Sequence, residues 1–448
     1  MNPTALVSSL PASDLLAVEA ALRILRRLLR GFRGSVGLRL WNNTSVRLGA
    51  AAPEFTMVVR DPTVVRELVL QQNPLLLAEA HFRGLIDFEG DLYAALRMKT
   101  HFESMSLSWR ERAALWRDAL RLPKRQRLVV PPTAVGAGDN AQRFAHHHSR
   151  FTDQAAIAFH YDVSHQFYRL WLDEQMVYSC AYFESPDDSI DAAQRNKLDH
   201  ICRKLRLKPG ERLLDIGCGW GALVCWAAQH YGVQAHGITL SNEQLGFAQA
   251  RIAAAGLQDR VTVELLDYRD LKGERLYHKV SSVGMFEHVG LANLPVYNAT
   301  VMRVLRDDGL FLNHGITHDE EGWQPGLVSE FINRYVFPDG ELDTVSNVQR
   351  GMERAGFEIL DVEGLRPHYA MTLRRWVQRL EANRDEALQH VDETTYRIWR
   401  LYMAACALEF ESGGTGIYQI LTGKRRAGAP EVPLTRRDIY ATAAPAAH

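Results

Sequence analysis

The sequence has few cysteines and sets none of them in a close pair. Cys180, Cys202, Cys218, Cys225 and Cys406 form an odd set without a C-x-x-C step. That excludes a disulfide framework and a zinc site built on such spacing, and it predicts no metal and a reducing, cytoplasmic setting. Long apolar runs are also lacking: no uncharged stretch reaches the eighteen or so residues of a membrane span. The opening MNPTALVSSLPASDLL has no basic start before an apolar core, so export is not expected. Net charge is only −1, which argues against wholesale nucleic-acid binding. What remains is an ordinary globular composition. With 448 residues, 46% hydrophobic and 23% charged, the chain is long enough for two or three domains with their own cores.

Residues 13–32 place Leu15, Val18, Leu22, Leu25 and Leu29 on one helical stripe, with Arg26, Arg27 and Arg30 interleaved. Two placements stay open for this basic amphipathic helix: docked on its own domain, or laid on a membrane. The short runs GSVGLRLW, SVRLGA and FTMVVR and a helical segment near 62–98 predict a small α+β domain that ends before about residue 130. A basic stretch over 110–128 and VVPPTAVGAGDN then read as a linker over 131–150. The run His146–His148 belongs to it as solvated side chains, because adjacent histidines do not all face one ion.

From about residue 196 strands and helices alternate. ERLLDIG, VQAHGIT, VTVELLD, KVSSVGM and GLFLNHGI predict buried parallel strands of a doubly wound sheet. Residues 370–411 read as aromatic-rich helix, and 426–448 as a disordered tail.

Gly217, Gly219 and Gly221 stand between the first of these strands and the next helix. Glycine suits a turn of unusual backbone angles that must approach a ligand, and the helix start offers free N–H groups. The spacing alone leaves two cofactors open, since G-x-G-x-x-A also fits a dinucleotide loosely. A nicotinamide dinucleotide needs an acid at the end of the second strand, and HGITLS supplies none. Ser241 caps the following helix, with Gln244 three residues on. Thr239 and Gln244 are left to face a ribose, while Asp267 and Tyr268 close on an adenine, the tyrosine by stacking. With Asp215 ahead of the glycines, the set points to S-adenosylmethionine.

HYDVSHQFYRLWLD (160–173), YSCAYF (178–183), LDIGCGWG (214–221), GMFEHVG (284–290), NHGI (313–316) and FINRYVFPDG (331–340) together resemble the cyclopropane-fatty-acyl-phospholipid synthases and the related mycolic-acid cyclopropane synthases. The resemblance is strong over 150–425 and weaker over the N-terminal domain. It implies an α/β fold: a class I, Rossmann-like methyltransferase sheet with a smaller N-terminal α+β domain. It also implies a lipid-binding and dimerisation domain over 1–130 and a catalytic domain over 151–425. In that family a cis double bond of an acyl chain attacks the sulfonium methyl, and the resulting carbocation loses a proton as the ring closes. A bound bicarbonate is the base. Its holders carry over by motif as Cys180, Glu287, His314, Tyr369 and, through its backbone, Ile316. The cofactor positions carry over as Tyr178, Ser179, Asp215, Gly217, Gly219, Gly221, Thr239, Leu240, Gln244, Tyr268 and Arg269.

The chemistry is consistent with such a site. An alkene offers only a π bond, so the protein must supply proximity and stabilise positive charge. An anion about 4 Å from a developing cation contributes roughly 4 kcal/mol at an effective dielectric near 20, about three powers of ten in rate. Taken singly, each residue has a plainer reading: an inert core cysteine, a Glu–His pair capping a helix, a satisfied core histidine. Ser164, His165 and Gln166 depart from the family's usual glycine, asparagine and acid. The resemblance further implies unsaturated phospholipid acyl chains as substrate and a homodimer. The basic N-terminal helix and residues 117–127 suggest peripheral contact with the anionic inner face of the membrane.

Overall fold

The computed structural model describes residues 12–124, 164–321, 327–336, 341–425 and 432–440. The linker 131–150 with its three histidines, and residues 160–163 of the first motif, lie outside this set. Two compact units emerge. One comprises Met1–Thr133, Leu327–Phe331 and Asp392–Ala405; the other comprises Ala134–Gly326, Ile332–Val391 and Cys406–His448. Two pieces of the expected catalytic stretch thus group with the N-terminal unit.

The first unit is built on four strands, β1 (Val36–Arg39), β2 (Ser45–Leu48), β3 (Phe55–Val59) and β4 (Ile86–Gly90), in the order β2-β1-β3-β4. Asn43 turns the β1–β2 hairpin with φ 65°, a left-handed conformation that Asn tolerates. Asp61 caps helix Pro62–Gln71 by accepting from Thr63 N at 2.8 Å. The continuous helix expected over 62–98 is not formed. Gln72 ends the first helix at φ 51°, Leu75–Phe82 follows, and β4 then pairs antiparallel with β3. Five residues of alternation between helices were too short a signal to read.

Helix Ala12–Leu28 buries Ala17, Val18, Ala21, Ile24 and Leu25, whereas Leu15 of the expected stripe is exposed. Its small alanines let it pack on helix Trp109–Ala119. Arg23 and Arg27 reach the fully buried carboxylate of Asp118 at 3.2 and 2.8 Å, and Arg121 reaches it at 3.2 Å. A buried carboxylate needs such partners, so this helix is docked on its own unit.

The second unit holds a seven-stranded sheet: β5 (Arg212–Ile216), β6 (Gln234–Thr239), β7 (Val261–Leu265), β8 (Tyr277–Val283), β9 (Leu305–His318), β10 (Phe357–Gly364) and β11 (Thr415–Lys424). The order is β10-β11-β9-β8-β5-β6-β7, parallel from β9 to β7. The five expected strands are all present, and two more, β10 and β11, join antiparallel at one edge. Leu213 and Leu214, adjacent in β5 and both fully buried, belong to opposite core clusters. A strand covered on both faces reads as this kind of unbroken apolar run. Strand order reverses at β5, where open α/β sheets bind ligands beyond the strand ends.

The tail requires a correction. Helix Arg437–Tyr440 buries Ile439, and Asp438 pairs with Arg206 at 2.7 Å. One apolar residue among polar ones carried too little pattern to reveal it. Residues 426–431 and 441–448 lie outside the described set.

Candidate active site

Beyond the ends of β5, β6 and β7 lies a cavity of about 150 Å³. Of the cofactor positions expected from sequence, Tyr178, Ser179, Asp215, Gly217, Gly219, Thr239, Leu240, Gln244, Tyr268 and Arg269 all line it. Gly221 does not. It starts helix Ala222–Tyr231 at φ 81°, and a Cβ there would stand 3.0 Å from that of Ala248. At Gly217, φ is 79° and a Cβ would press on Met285 at 3.0 Å, so the loop can hug a ligand only as glycine.

Local hydrogen bonds fix the polar walls. Ser281 Oγ donates to Asp215 Oδ1 at 2.7 Å, and burial pushes that carboxyl up to about 6. Thr239 Oγ1 donates to Gln244 Oε1 at 2.7 Å, while Ser241 Oγ accepts from Gln244 N at 3.3 Å. The cap is therefore half a capping box, because the Gln244 side chain turns to Thr239 instead. Asp267 accepts from Arg269 N at 2.8 Å and Nε at 2.9 Å, and the guanidinium lies over the Tyr268 ring at 5.4 Å. Tyr178 sits among Tyr168, Trp171 and Trp376, with centroids 5.8, 5.4 and 5.3 Å away.

The second expected set, Cys180, Glu287, His314, Ile316 and Tyr369, lines none of this cavity, but hydrogen bonds link the segments that carry it to one another and to the cavity wall. Glu287 Oε1 accepts from Ile316 N at 2.7 Å. Ile316 is paired in register with Ile417, whose carbonyl accepts from Leu365 N at 2.9 Å. The Leu365 carbonyl in turn accepts from Tyr369 N at 3.1 Å and lies 3.8 Å from Cys180 Sγ. Cys180 follows Ser179 of the cavity wall, and Gly284, also in that wall, donates to the His314 carbonyl at 2.8 Å. The two sites are thus neighbours.

Burial governs titration here. It raises Glu287 to about 7, although the Ile316 amide pulls the other way, and it drives His314 well below its ordinary value. The Cys180 thiol is pushed up, so it stays protonated. Gln419 Nε2 lies 3.2 Å from His314 Nδ1, which leaves the proton of the neutral imidazole on Nε2. Among the described residues, His314 Nε2 and Glu287 Oε2 are buried without a partner. An open imidazole nitrogen and an open carboxyl oxygen are each groups that a small polar ligand could complete. The same described residues hold no cluster of three or more metal-ligating side chains.

The family model for mycolic acid cyclopropane synthetase matches residues 148–420. The chain belongs to that family. It is an S-adenosylmethionine-dependent methyltransferase, and the glycine cradle and polar walls fit that cofactor. A probable fatty acid methyltransferase of Pseudomonas putida is 42% identical over 408 residues, 90% of this chain and 95% of that one. The cyclopropane-fatty-acyl-phospholipid synthase of Escherichia coli K12 is 39% identical over 262 residues, 58% and 66% of the two chains. The solved cyclopropane synthase MmaA2 from Mycobacterium tuberculosis superposes with a TM-score of 0.58 at 33% identity, covering 62% of this chain and 99% of that one.

Sequence reasoning missed a buried polar stripe, of which Lys197 lines the cavity. Gln194, Lys197, His200 and Lys204, on helix Ile190–Lys204, are all buried although the helix is polar in composition. Their spacing of three, three and four was the signal available: a polar stripe on one face, turned inward here. The departure at Ser164 has a local role as well. Ser164 Oγ accepts from Gln166 N at 3.2 Å to start helix His165–Arg169, and His165 lies 3.5 Å from Glu243.

Proposed function

We propose that this protein transfers the methyl group of S-adenosylmethionine to the cis double bond of an unsaturated phospholipid acyl chain and closes a cyclopropane ring, with bound bicarbonate as base. The observation that carries the reading is that Glu287, tied to the Ile316 amide, and His314, whose carbonyl is tied to Gly284 of the cofactor cavity wall, leave Glu287 Oε2 and His314 Nε2 buried and without a partner among the described residues. Bound S-adenosylmethionine supplies an activated methyl group, and bicarbonate a weak base. Tyr178, Ser179, Asp215, Thr239, Gln244 and Tyr268 would hold the first; Glu287, His314, Tyr369, Cys180 and the Ile316 amide would hold the second.

The chain's own groups define the rest. Cys180 contributes a thiol and no nucleophile, because burial keeps its proton in place. Neutral His314 donates from Nε2, which stabilises an anion without adding a full charge of its own. Glu287, with its proton loosely held near neutrality, orients the anion or shares a proton with it. Trp376, fully buried, stands between Tyr178 and Tyr369, with centroids 5.3 and 6.2 Å away, and helps to exclude water.

The N-terminal unit supports a lipid partner. A cavity of about 220 Å³ and one of about 300 Å³ share Pro74, Leu77, Met98 and Phe102 and are lined mainly by apolar side chains. Helix Trp109–Ala119 exposes Trp109 and Trp116 beside Arg110, Arg112 and Arg117, a pattern suited to the headgroup layer of an anionic inner leaflet. No helix among the described residues is long and apolar enough to cross a membrane. The homodimer belongs to the same reading.

A second outcome has its own support: the Pseudomonas putida relative, matched along most of both chains, is described as a probable fatty acid methyltransferase. The cation would then lose its proton elsewhere and leave a methyl-branched or methylene chain. Mass and proton spectra of vesicle lipids after incubation with S-adenosylmethionine separate the outcomes. Gain of one CH₂ with loss of the alkene and cyclopropane proton signals is expected; gain with the alkene retained favours branching, and no gain removes both.

A further inference from the structure

Helix Ile190–Lys204 presents Gln194 and Lys197 three residues apart on its inner face. Gln194, fully buried, donates from Nε2 to the carbonyls of Val177 at 3.2 Å and Ser179 at 2.9 Å. Lys197 is 2% exposed, lines the cofactor cavity and donates from Nζ to Ser179 Oγ at 2.8 Å. The helix thus grips the Tyr178–Ser179 wall through one amide and one ammonium.

An ammonium carries three N–H donors. Among the described residues Nζ forms this single hydrogen bond, and no carboxylate lies within 4.0 Å of it. Asp173 and Asp215 raise its proton affinity from a distance, yet burial outweighs them and lowers Lys197 to about 8. The group is still charged at neutral pH. A buried cation so weakly paired is costly unless a ligand completes it. Arg269, the other lysine or arginine in the wall, is already neutralised by Asp267. Lys197 is therefore the wall cation left over for an anion.

S-adenosylmethionine brings one such anion, the carboxylate at its amino-acid end. Thr239, Gln244 and Tyr268, which suit an adenosine, stand at the ends of β6 and β7. Ser179, Lys197 and Asp215 stand on the side of β5 and β8, where Gly284 approaches Ser179 Cβ. We propose that the Lys197 ammonium, held by Ser179, binds the carboxylate of the cofactor's amino-acid end, with Asp215 facing the ammonium of the same moiety. This rests on the cofactor assignment and is independent of the lipid product.

Calorimetry with S-adenosylhomocysteine and with 5′-methylthioadenosine, which lacks the amino-acid end, tests it on the full chain. Lys197→Met should weaken S-adenosylhomocysteine about 10- to 100-fold, the loss expected for a charge-assisted hydrogen bond, and leave 5′-methylthioadenosine within about threefold. Parallel loss of both ligands would make Lys197 merely structural, and an unchanged S-adenosylhomocysteine affinity would remove the contact; either overturns the proposal. Should the variant not fold, the wild-type protein serves with the carboxamide of S-adenosylhomocysteine. It should bind about 10-fold or more weakly than the acid, and equal affinity refutes the assignment. Loss of 5′-methylthioadenosine binding by the wild-type protein would instead count against the cofactor assignment itself.

Discussion

Glu287 Oε1 accepts a hydrogen bond from the Ile316 backbone N–H at 2.7 Å, joining the turn after β8 to the end of β9. The bond holds a carboxyl group that burial has raised to about 7. The consequence for stability has a definite sign. Between about pH 4.5 and about 7 the unfolded chain gives up this proton while the native chain keeps it, so stability falls as pH rises through that window. A shift of this size corresponds to about 3 kcal/mol. Glu287→Gln lacks the titration, so denaturant midpoints at about pH 5 and about pH 8 should show the variant gaining on the parent as pH rises. A constant difference would mean that Glu287 is not buried as a carboxyl. Asp215 titrates in the same sense in both proteins and cancels.

The neighbouring sites should separate in function. Glu287→Ala and Cys180→Ala are expected to lower turnover about 100-fold or more, the usual scale for losing an acid–base group or its support. Affinity for S-adenosylhomocysteine should stay within about threefold, because neither residue lines the cofactor cavity. Calorimetry beside turnover checks this; cofactor binding lost together with activity would merge the two sites.

Gly315 stands between the residues that matter. A Cβ there would overlap the ring of Phe286 and come within 3.2 Å of Glu287 Oε1. Gly315→Ala should therefore cost about 1–3 kcal/mol of stability as overpacking, and turnover beyond what that loss explains. Thermal unfolding and steady-state rates measure the two parts; a fully active, fully stable variant would show that the wall can yield.

Membrane contact should involve both rings and charges on helix Trp109–Ala119. Trp109, 74% exposed, has the Arg110 guanidinium 5.3 Å from its ring. Sedimentation with anionic vesicles should weaken as the Debye length falls from about 10 Å at 0.1 M salt to about 3 Å at 1 M. Trp109→Ala with Trp116→Ala should weaken it further at both. Binding indifferent to salt and to the tryptophans would place the contact elsewhere.

Legibility of the sequence followed the length and continuity of its patterns. The five parallel strands could be read directly, from adjacent buried apolar residues such as Leu213 and Leu214 in β5 or from alternation such as Val261 and Val263 in β7. β4 is short and β10 only half-buried, while the pairing of β11 is fixed by distant segments, as where Ile417 faces Ile316. The glycine loop announces itself through local backbone need. Lys197 does not, since an inward-facing lysine becomes visible only when the helix meets Ser179. The second set was legible only jointly, because no single member distinguishes itself from ordinary core.

The measurement closest to the central claim is turnover in carbonate-free buffer followed by restoration of bicarbonate. The account predicts that ring formation falls sharply on depletion and returns on addition, and that Glu287→Ala makes it insensitive to both. Undiminished ring formation in thoroughly carbonate-free buffer would contradict it.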